Sequence, residues 1–98
     1  MAQVEKTRDG FYKISGQVDF SNVMQLLRQL QKLSVQERNL SIDMSGVEKS
    51  NSAGLGLLME LLSLAKQKQQ VMVFTGIPDT LMDLARMSNI EHLLNSAA

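Results

Sequence analysis

The side chains in this sequence that could do chemistry are few and far apart. His92 is the only histidine and cysteine is absent, so no zinc site of histidines or thiolates can be assembled. Asp43 follows a predicted strand, where open α/β folds often place catalytic carboxylates. No second carboxylate, histidine or lysine lies beside it to form an acid–base pair. We therefore expect Asp43 to accept backbone amides in a Ser45-Gly46 turn, and His92 to be structural or exposed.

The segment from residue 50 to residue 56 contains serines and glycines but matches no catalytic or nucleotide-binding motif. Gly54-Leu55-Gly56 is too short for either glycine-rich nucleotide fingerprint, and no lysine follows it. Asn51 precedes Ser52, whereas the strained nucleophile elbow of hydrolases has glycine there. The sequence thus predicts no catalytic residue, no metal and no cofactor, and indicates an interaction domain.

Ser52 stands at the predicted start of a helix, where two roles are open. Its hydroxyl can cap the helix by accepting a hydrogen bond from the Leu55 amide, a contact worth about 1 kcal/mol. A serine at a helix N-terminus is also a favourable place for phosphate, because the free amides and the helix dipole attract an anion. Phosphorylation would add about −1.5 to −2 charge. Ser52 is therefore the candidate phosphorylation site.

The helix that follows is unusual at its start and around its circumference. Gly54 and Gly56 each weaken the helix by about 1 kcal/mol relative to alanine. They either let it pack closely on the sheet or on the third helix, or open its start to the backbone of another protein. Its apolar residues from Leu57 to Ala65 cover roughly 220°, about twice the usual stripe, so the third helix or a partner must cover the excess. The predicted partner-binding residues are Ser50, Asn51, Ser52, Ala53, Gly54, Leu55, Gly56 and Leu57.

Composition narrows the class of partner. The 98 residues contain ten Lys and Arg and ten Asp and Glu, which disfavours general nucleic-acid binding and electrostatic attachment to an anionic membrane. The N-terminus does not resemble a signal peptide, and no apolar run approaches the roughly 20 residues of a membrane span. We expect one domain, residues 1–98, in a reducing, cytoplasmic compartment.

Strand patterns recur along the chain. An Asp9-Gly10 turn joins short stretches at residues 4–7 and 11–15, as in a β-hairpin. Residues 40–44 alternate as a strand, and residues 45–51 are predicted to form a polar loop. Residues 71–74 are a continuous apolar run, as expected for a central strand covered on both faces. Residues 90–94 are a last short strand or an extended tail.

Three helices are predicted between and after these strands. The first is capped by Ser21 or Asn22, the second covers residues 52–68, and the third has Pro78 in its first turn. The expected buried faces are Val23, Leu26, Leu27, Leu30 and Leu33 in the first helix and Leu81, Leu84 and Ala85 in the third. The order β-β-α-β-α-β-α, with an optional final strand, predicts an α/β sandwich with a mixed, mostly parallel sheet of four or five strands.

Two stretches resemble the signature of STAS domains. Residues 41–47 read Ser-Ile-Asp-Met-Ser-Gly-Val, and residues 51–58 read Asn-Ser-Ala-Gly-Leu-Gly-Leu-Leu. The family has a strand ending in Asp-Leu-Ser, a short loop, and Asp-Ser-(Ser/Ala)-Gly-Leu opening a helix. The order of elements also agrees with the family over nearly the whole chain. The resemblance therefore implies that residues 1–98 are a single STAS domain. Looser similarities near residues 15–20 and 74–78 favour the MlaB-type members.

The resemblance implies two alternative functions. MlaB-type members bind and support the MlaF-like ATPase of an ABC transporter that moves phospholipids and maintains outer-membrane lipid asymmetry. They are located at the cytoplasmic side of the inner membrane because their ATPase partner is in complex with a membrane permease. Anti-sigma-factor antagonists are instead switched by a kinase that phosphorylates the serine matching Ser52.

One departure separates this chain from the kinase-regulated pattern. Asn51 stands where the family usually has aspartate, which favours the ATPase contact over the phosphorylation switch. If this surface binds the ATPase, Ser52→Glu and Leu57→Asp are both expected to weaken the complex without unfolding the domain.

Overall fold

The computed structural model describes residues 2–95, and four strands and four helices follow one another in the order β-β-α-β-α-β-α-α. The strands are β1 (Ala2–Arg8), β2 (Phe11–Val18), β3 (Asn39–Ser50) and β4 (Val71–Thr75). The helices are α1 (Val23–Ser34), α2 (Ser52–Gln67), α3 (Asp79–Met87) and α4 (Glu91–Asn95).

The strands form a four-stranded sheet in the order β1-β2-β3-β4. β1 pairs antiparallel with β2 through the Asp9-Gly10 turn, where Gly10 has a φ of +82° that suits glycine. β2 and β3 are parallel, as are β3 and β4, and α1 and α2 make the two crossovers. The predicted α/β sandwich, with a mixed and mostly parallel sheet and an antiparallel edge, is confirmed.

The core lies between the helices and one face of the sheet. Alternate side chains of the strands are buried there, as the two-residue period of a strand requires. The strands contribute Tyr12, Ile14, Val18, Leu40, Ile42, Met44, Val47, Met72 and Phe74; the helices contribute Leu26, Leu27, Leu30, Leu57, Leu58, Leu61, Ala65, Leu81, Ala85 and Leu94. Both α1 and α3 contact α2, which is therefore the middle helix of the layer.

β4 lies at the edge of the sheet, so the prediction that it is a central strand covered on both faces is wrong. Met72 and Phe74 are buried, whereas Val71 is 57% exposed. An uninterrupted apolar run therefore occurs here on a strand that has a protein layer on one face only.

β3 continues to Ser50, so the predicted polar loop at residues 45–51 is also wrong. β3 holds two extra residues relative to β2, and the first lies at a bulge where Lys13 pairs with Asp43 and Ser15 with Gly46. Within it the Asp43 carboxylate accepts a hydrogen bond from the Ser45 amide at 2.8 Å, the role predicted for it. Backbone and side-chain hydrogen bonds from Ser45 hold the pKa of Asp43 below its ordinary value. Although the polar side chains of this segment suggested a loop, pairing with β2 satisfies the hydrogen-bonding groups of its backbone.

The first helix and the C-terminal segment differ from the predictions. Asn22 precedes α1, but its side chain does not cap the helix and instead accepts a hydrogen bond from the Asp19 amide at 3.1 Å. The Ser21 amide donates a hydrogen bond to the Asp19 carboxylate. Leu33 of the predicted buried face is 42% exposed. Residues 90–94 are neither strand nor tail, since α4 occupies Glu91–Asn95 and buries Leu94.

Candidate partner-binding site

Asn51 forms the junction between β3 and α2. Its side-chain oxygen accepts a hydrogen bond from the Ala53 amide at 2.8 Å, and its carbonyl accepts one from the Gly54 amide at 2.9 Å. Asn51 is therefore the N-cap, and of the two roles left open for Ser52 the capping role is wrong. Asparagine and aspartate cap helices about equally well, so the departure from the family's aspartate removes a charge and preserves the cap.

Ser52 is the first residue of α2 and is exposed. Because Asn51 caps the helix, the Ser52 hydroxyl is not needed for that purpose. It lies in the first turn, where the amides and the helix dipole favour negative charge. A partner or a modifying enzyme can therefore reach this hydroxyl.

The two glycines of the first turn have different environments. A Cβ atom on Gly54 would lie 2.0 Å from Ser50 Oγ and 3.2 Å from Leu81 Cδ2. Gly54 thus allows α2 to pack closely on the end of β3 and on α3. A Cβ atom on Gly56 would meet open space, because no atom of residues 2–95 other than the adjoining residues and backbone of α2 itself lies within 4 Å. Close packing inside the domain accounts for Gly54 and leaves Gly56 unexplained.

The wide apolar arc of α2 is covered within the domain. Leu57, Leu58 and Leu61 are buried, and Leu55 and Leu62 are half-buried. Between Ser52 and Gln67 no apolar side chain is fully exposed, because α1 and α3 pack on either side of the helix. Neighbouring helices, rather than a partner, account for the excess arc.

The burial of Leu57 changes what its substitution can test. Its side chain is only 2% exposed, so an aspartate there would place a carboxylate in the core. The expectation that Leu57→Asp weakens a complex without unfolding the domain is wrong.

An apolar groove of about 460 Å³ lies between α1 and α2, beside Ser52. Phe20 and Met24 are 70% and 55% exposed there, and exposed apolar side chains grouped in this way mark interaction sites. The groove is lined by Phe20, Val23, Met24, Leu27, Ser52, Ala53, Gly56, Leu57 and Glu60. Sequence reasoning missed Phe20 and Met24; the available signal was that both are large apolar residues outside the predicted buried face of α1.

The predicted partner-binding residues divide by exposure. Asn51, Ser52 and Gly56 are exposed, Ser50 and Leu55 are half-buried, and Ala53, Gly54 and Leu57 are buried. Two of the exposed predicted residues, Ser52 and Gly56, also line the groove, so they form one continuous surface with it. We call this combined surface the Ser52 groove, meaning the lining residues given above together with Asn51.

The other residues considered for chemistry lie apart from the Ser52 groove. His92 is exposed on α4, and Asp43 belongs to the bulge of β3. Residues 2–95 contain no group of three histidine or acidic residues arranged to hold a metal ion. Among the helices of this part of the chain, none has the length and apolar character needed to cross a bilayer.

Comparison with known families agrees with this architecture. The family model described as "Mlab, STAS domain" matches residues 2–95. The chain belongs to this STAS family. No curated protein sequence gives a significant match to this STAS domain.

Among solved structures, the fold is similar to one titled "Structure of the Anti-Sigma Factor Antagonist SpoIIAA in its Unphosphorylated Form". The TM-score is 0.70 at 16% sequence identity, over 93% of this chain and 83% of that one. At this identity the likeness establishes the fold of the STAS domain alone.

Proposed function

We propose that this STAS domain is a non-catalytic subunit that binds and supports the ATPase of a bacterial, Mla-type phospholipid-transport ABC transporter. The observation that carries the proposal is the family match over residues 2–95 in a domain with an exposed apolar groove at its helix start. The partner is an MlaF-like ATPase bound to its membrane permease. The domain would thus lie in the cytoplasm, at the inner membrane through that partner.

The construction of the Ser52 groove suits a rigid docking surface. The Asn51 cap and the close contact at Gly54 hold the start of α2 in place, so little order needs to be gained on binding. Only one of the residues lining the groove is charged, so apolar burial is expected to be the main source of affinity. A subunit that binds only the folded, assembled ATPase stabilises that state by mass action.

Ser52→Glu is expected to weaken the ATPase complex about tenfold or more while the domain stays folded. The carboxylate suits the first turn of α2 but would lose water beside apolar Phe20 when the ATPase docks. Co-purification of the ATPase with tagged wild-type and variant domains, each checked by circular dichroism, measures the effect.

Thr80→Glu is the matched control, because Thr80 is exposed in the first turn of α3 and is not among the groove residues. It should retain the ATPase. Normal recovery of the ATPase with folded Ser52→Glu would contradict the proposed surface.

The alternative function is an anti-sigma-factor antagonist controlled by phosphorylation. The observation in its favour is the exposed Ser52 hydroxyl in the first turn of α2. Incubation with the cognate switch kinase and ATP should then add one phosphate, seen by intact mass, that Ser52→Ala abolishes. An unmodified wild-type mass would exclude this function.

A further inference from the structure

Gly56 is the feature of α2 that packing inside the domain does not require. Glycine weakens a helix relative to alanine, and Gly54 compensates for this by letting α2 approach Ser50 and Leu81. At Gly56 no such contact exists among the described residues: the position is exposed and an added Cβ would meet empty space. Glycine in a helix is also used where another backbone approaches closely.

The groove beside Gly56 has a specific chemistry. Exposed Phe20 and Met24 stand on the α1 side, and Ser52, Gly56 and Glu60 lie one helical turn apart on α2. Glu60 is exposed and is the sole charged residue of the lining. The groove therefore offers an apolar slot, an uncovered stretch of helix and one carboxylate at its end.

We infer that the groove receives a partner segment that inserts a large apolar side chain between α1 and α2, crosses the α2 backbone at Gly56 and places a basic side chain opposite Glu60. The inference rests on the proposed ATPase docking and names the chemistry of the contact. The apolar side chain fits the surface of Phe20 and Met24. The basic side chain complements the carboxylate, which sets orientation and association rate.

Substitutions at Gly56 should separate stability from binding. Gly56→Ala is expected to raise the midpoint of thermal unfolding by roughly 2–8 °C and to weaken binding of the purified ATPase about fivefold or more. Gly56→Leu should weaken it further. Gly54→Ala, with the same added methyl group, should lower the unfolding midpoint. Ser63→Ala, at an exposed α2 position outside the groove, should leave affinity unchanged.

Charge reversal tests the basic partner residue. Glu60→Lys should weaken binding about tenfold. Reversing the basic residues of the ATPase to glutamate, one at a time, should find one that restores affinity for Glu60→Lys.

The outcomes separate the inference from the proposed function. If wild-type domain does not bind the ATPase, both fail. If wild type binds and the Gly56 variants bind equally well, the docking proposal survives and the inference is overturned. It is also overturned if no reversal on the ATPase rescues Glu60→Lys. A concentration-dependent wild-type dimer that Gly56→Leu dissociates would overturn it too, because the occupant would then be a second copy of the chain.

Discussion

Leu57→Asp is expected to prevent the domain from folding. Leu57 is 2% exposed and belongs to the core. Truncating a buried leucine to alanine alone lowers the free energy of unfolding by about 2–5 kcal/mol. The aspartate also buries a carboxylate without a partner. The sum is comparable with the roughly 5–15 kcal/mol that stabilises a whole domain. Far-ultraviolet circular dichroism and thermal unfolding should show no cooperative transition.

Ser63→Asp is the control for Leu57→Asp, because it puts the same carboxylate on an exposed position of the same helix. Its free energy of unfolding should stay within about 0.5 kcal/mol of wild type. A folded Leu57→Asp with a wild-type transition would contradict the burial of Leu57 and the packing of α2 described above.

Glu37→Gln is expected to lower the free energy of unfolding by about 1.5–3 kcal/mol, as for hydrogen bonds to a charged group. The Glu37 carboxylate, whose side chain is 15% exposed, accepts from the Gly10 amide at 2.8 Å and pairs with Lys6 Nζ at 3.2 Å. It also accepts from the hydroxyl of buried Tyr12. These contacts connect the β1–β2 hairpin to the turn after α1. Urea unfolding near neutral pH measures the loss.

The stabilisation by Glu37 should disappear in acid. Desolvation raises the pKa of Glu37, but hydrogen bonds from Tyr12, Gly10 and Lys6 outweigh it and hold the pKa below its ordinary value of 4.5. Burial, then the Glu37 hydrogen bond, raises the pKa of Tyr12 to about 12, so its phenol remains a donor. A lowered carboxyl pKa stabilises the folded state above 4.5, and this stabilisation is lost as pH falls through the folded pKa.

The difference in stability between wild type and Glu37→Gln should therefore be constant near neutral pH and shrink below the ordinary glutamate pKa. Glu48→Gln, which alters an exposed carboxylate of β3, should follow wild type throughout. A Glu37→Gln difference that persists unchanged into acid would show that the carboxylate charge does not stabilise this contact.

Local signals were sufficient for most of the fold. The Asp9-Gly10 turn and the 3.6-residue periodicity of α1 and α2 placed the hairpin and both helices correctly. The errors arose where tertiary pairing decides. The polar end of β3 is a strand because β2 supplies its hydrogen bonds, and β4 is an edge strand because no fifth strand follows within residues 2–95.

The helix start of the candidate site was predictable from the sequence, whereas the detail of the groove beside it was not. The Ser52 segment lies at an exposed helix start as the motif indicates, but Asn51 is the cap. The groove depends on how α1 crosses α2, which brings Phe20 and Met24 beside Gly56. Residues more than 30 positions apart give no local pattern of this kind, so it could be found only from the packed structure.

Amide hydrogen exchange of the domain, free and bound to the purified ATPase, tests the docking surface most directly. Binding is expected to slow exchange at residues 20–27 and 52–60, the two sides of the Ser52 groove. Exchange in β1, none of whose residues lines the groove, should be unchanged. Protection confined to the strands, with residues 52–60 exchanging as in the free domain, would contradict the assignment of the Ser52 groove as the ATPase-binding surface.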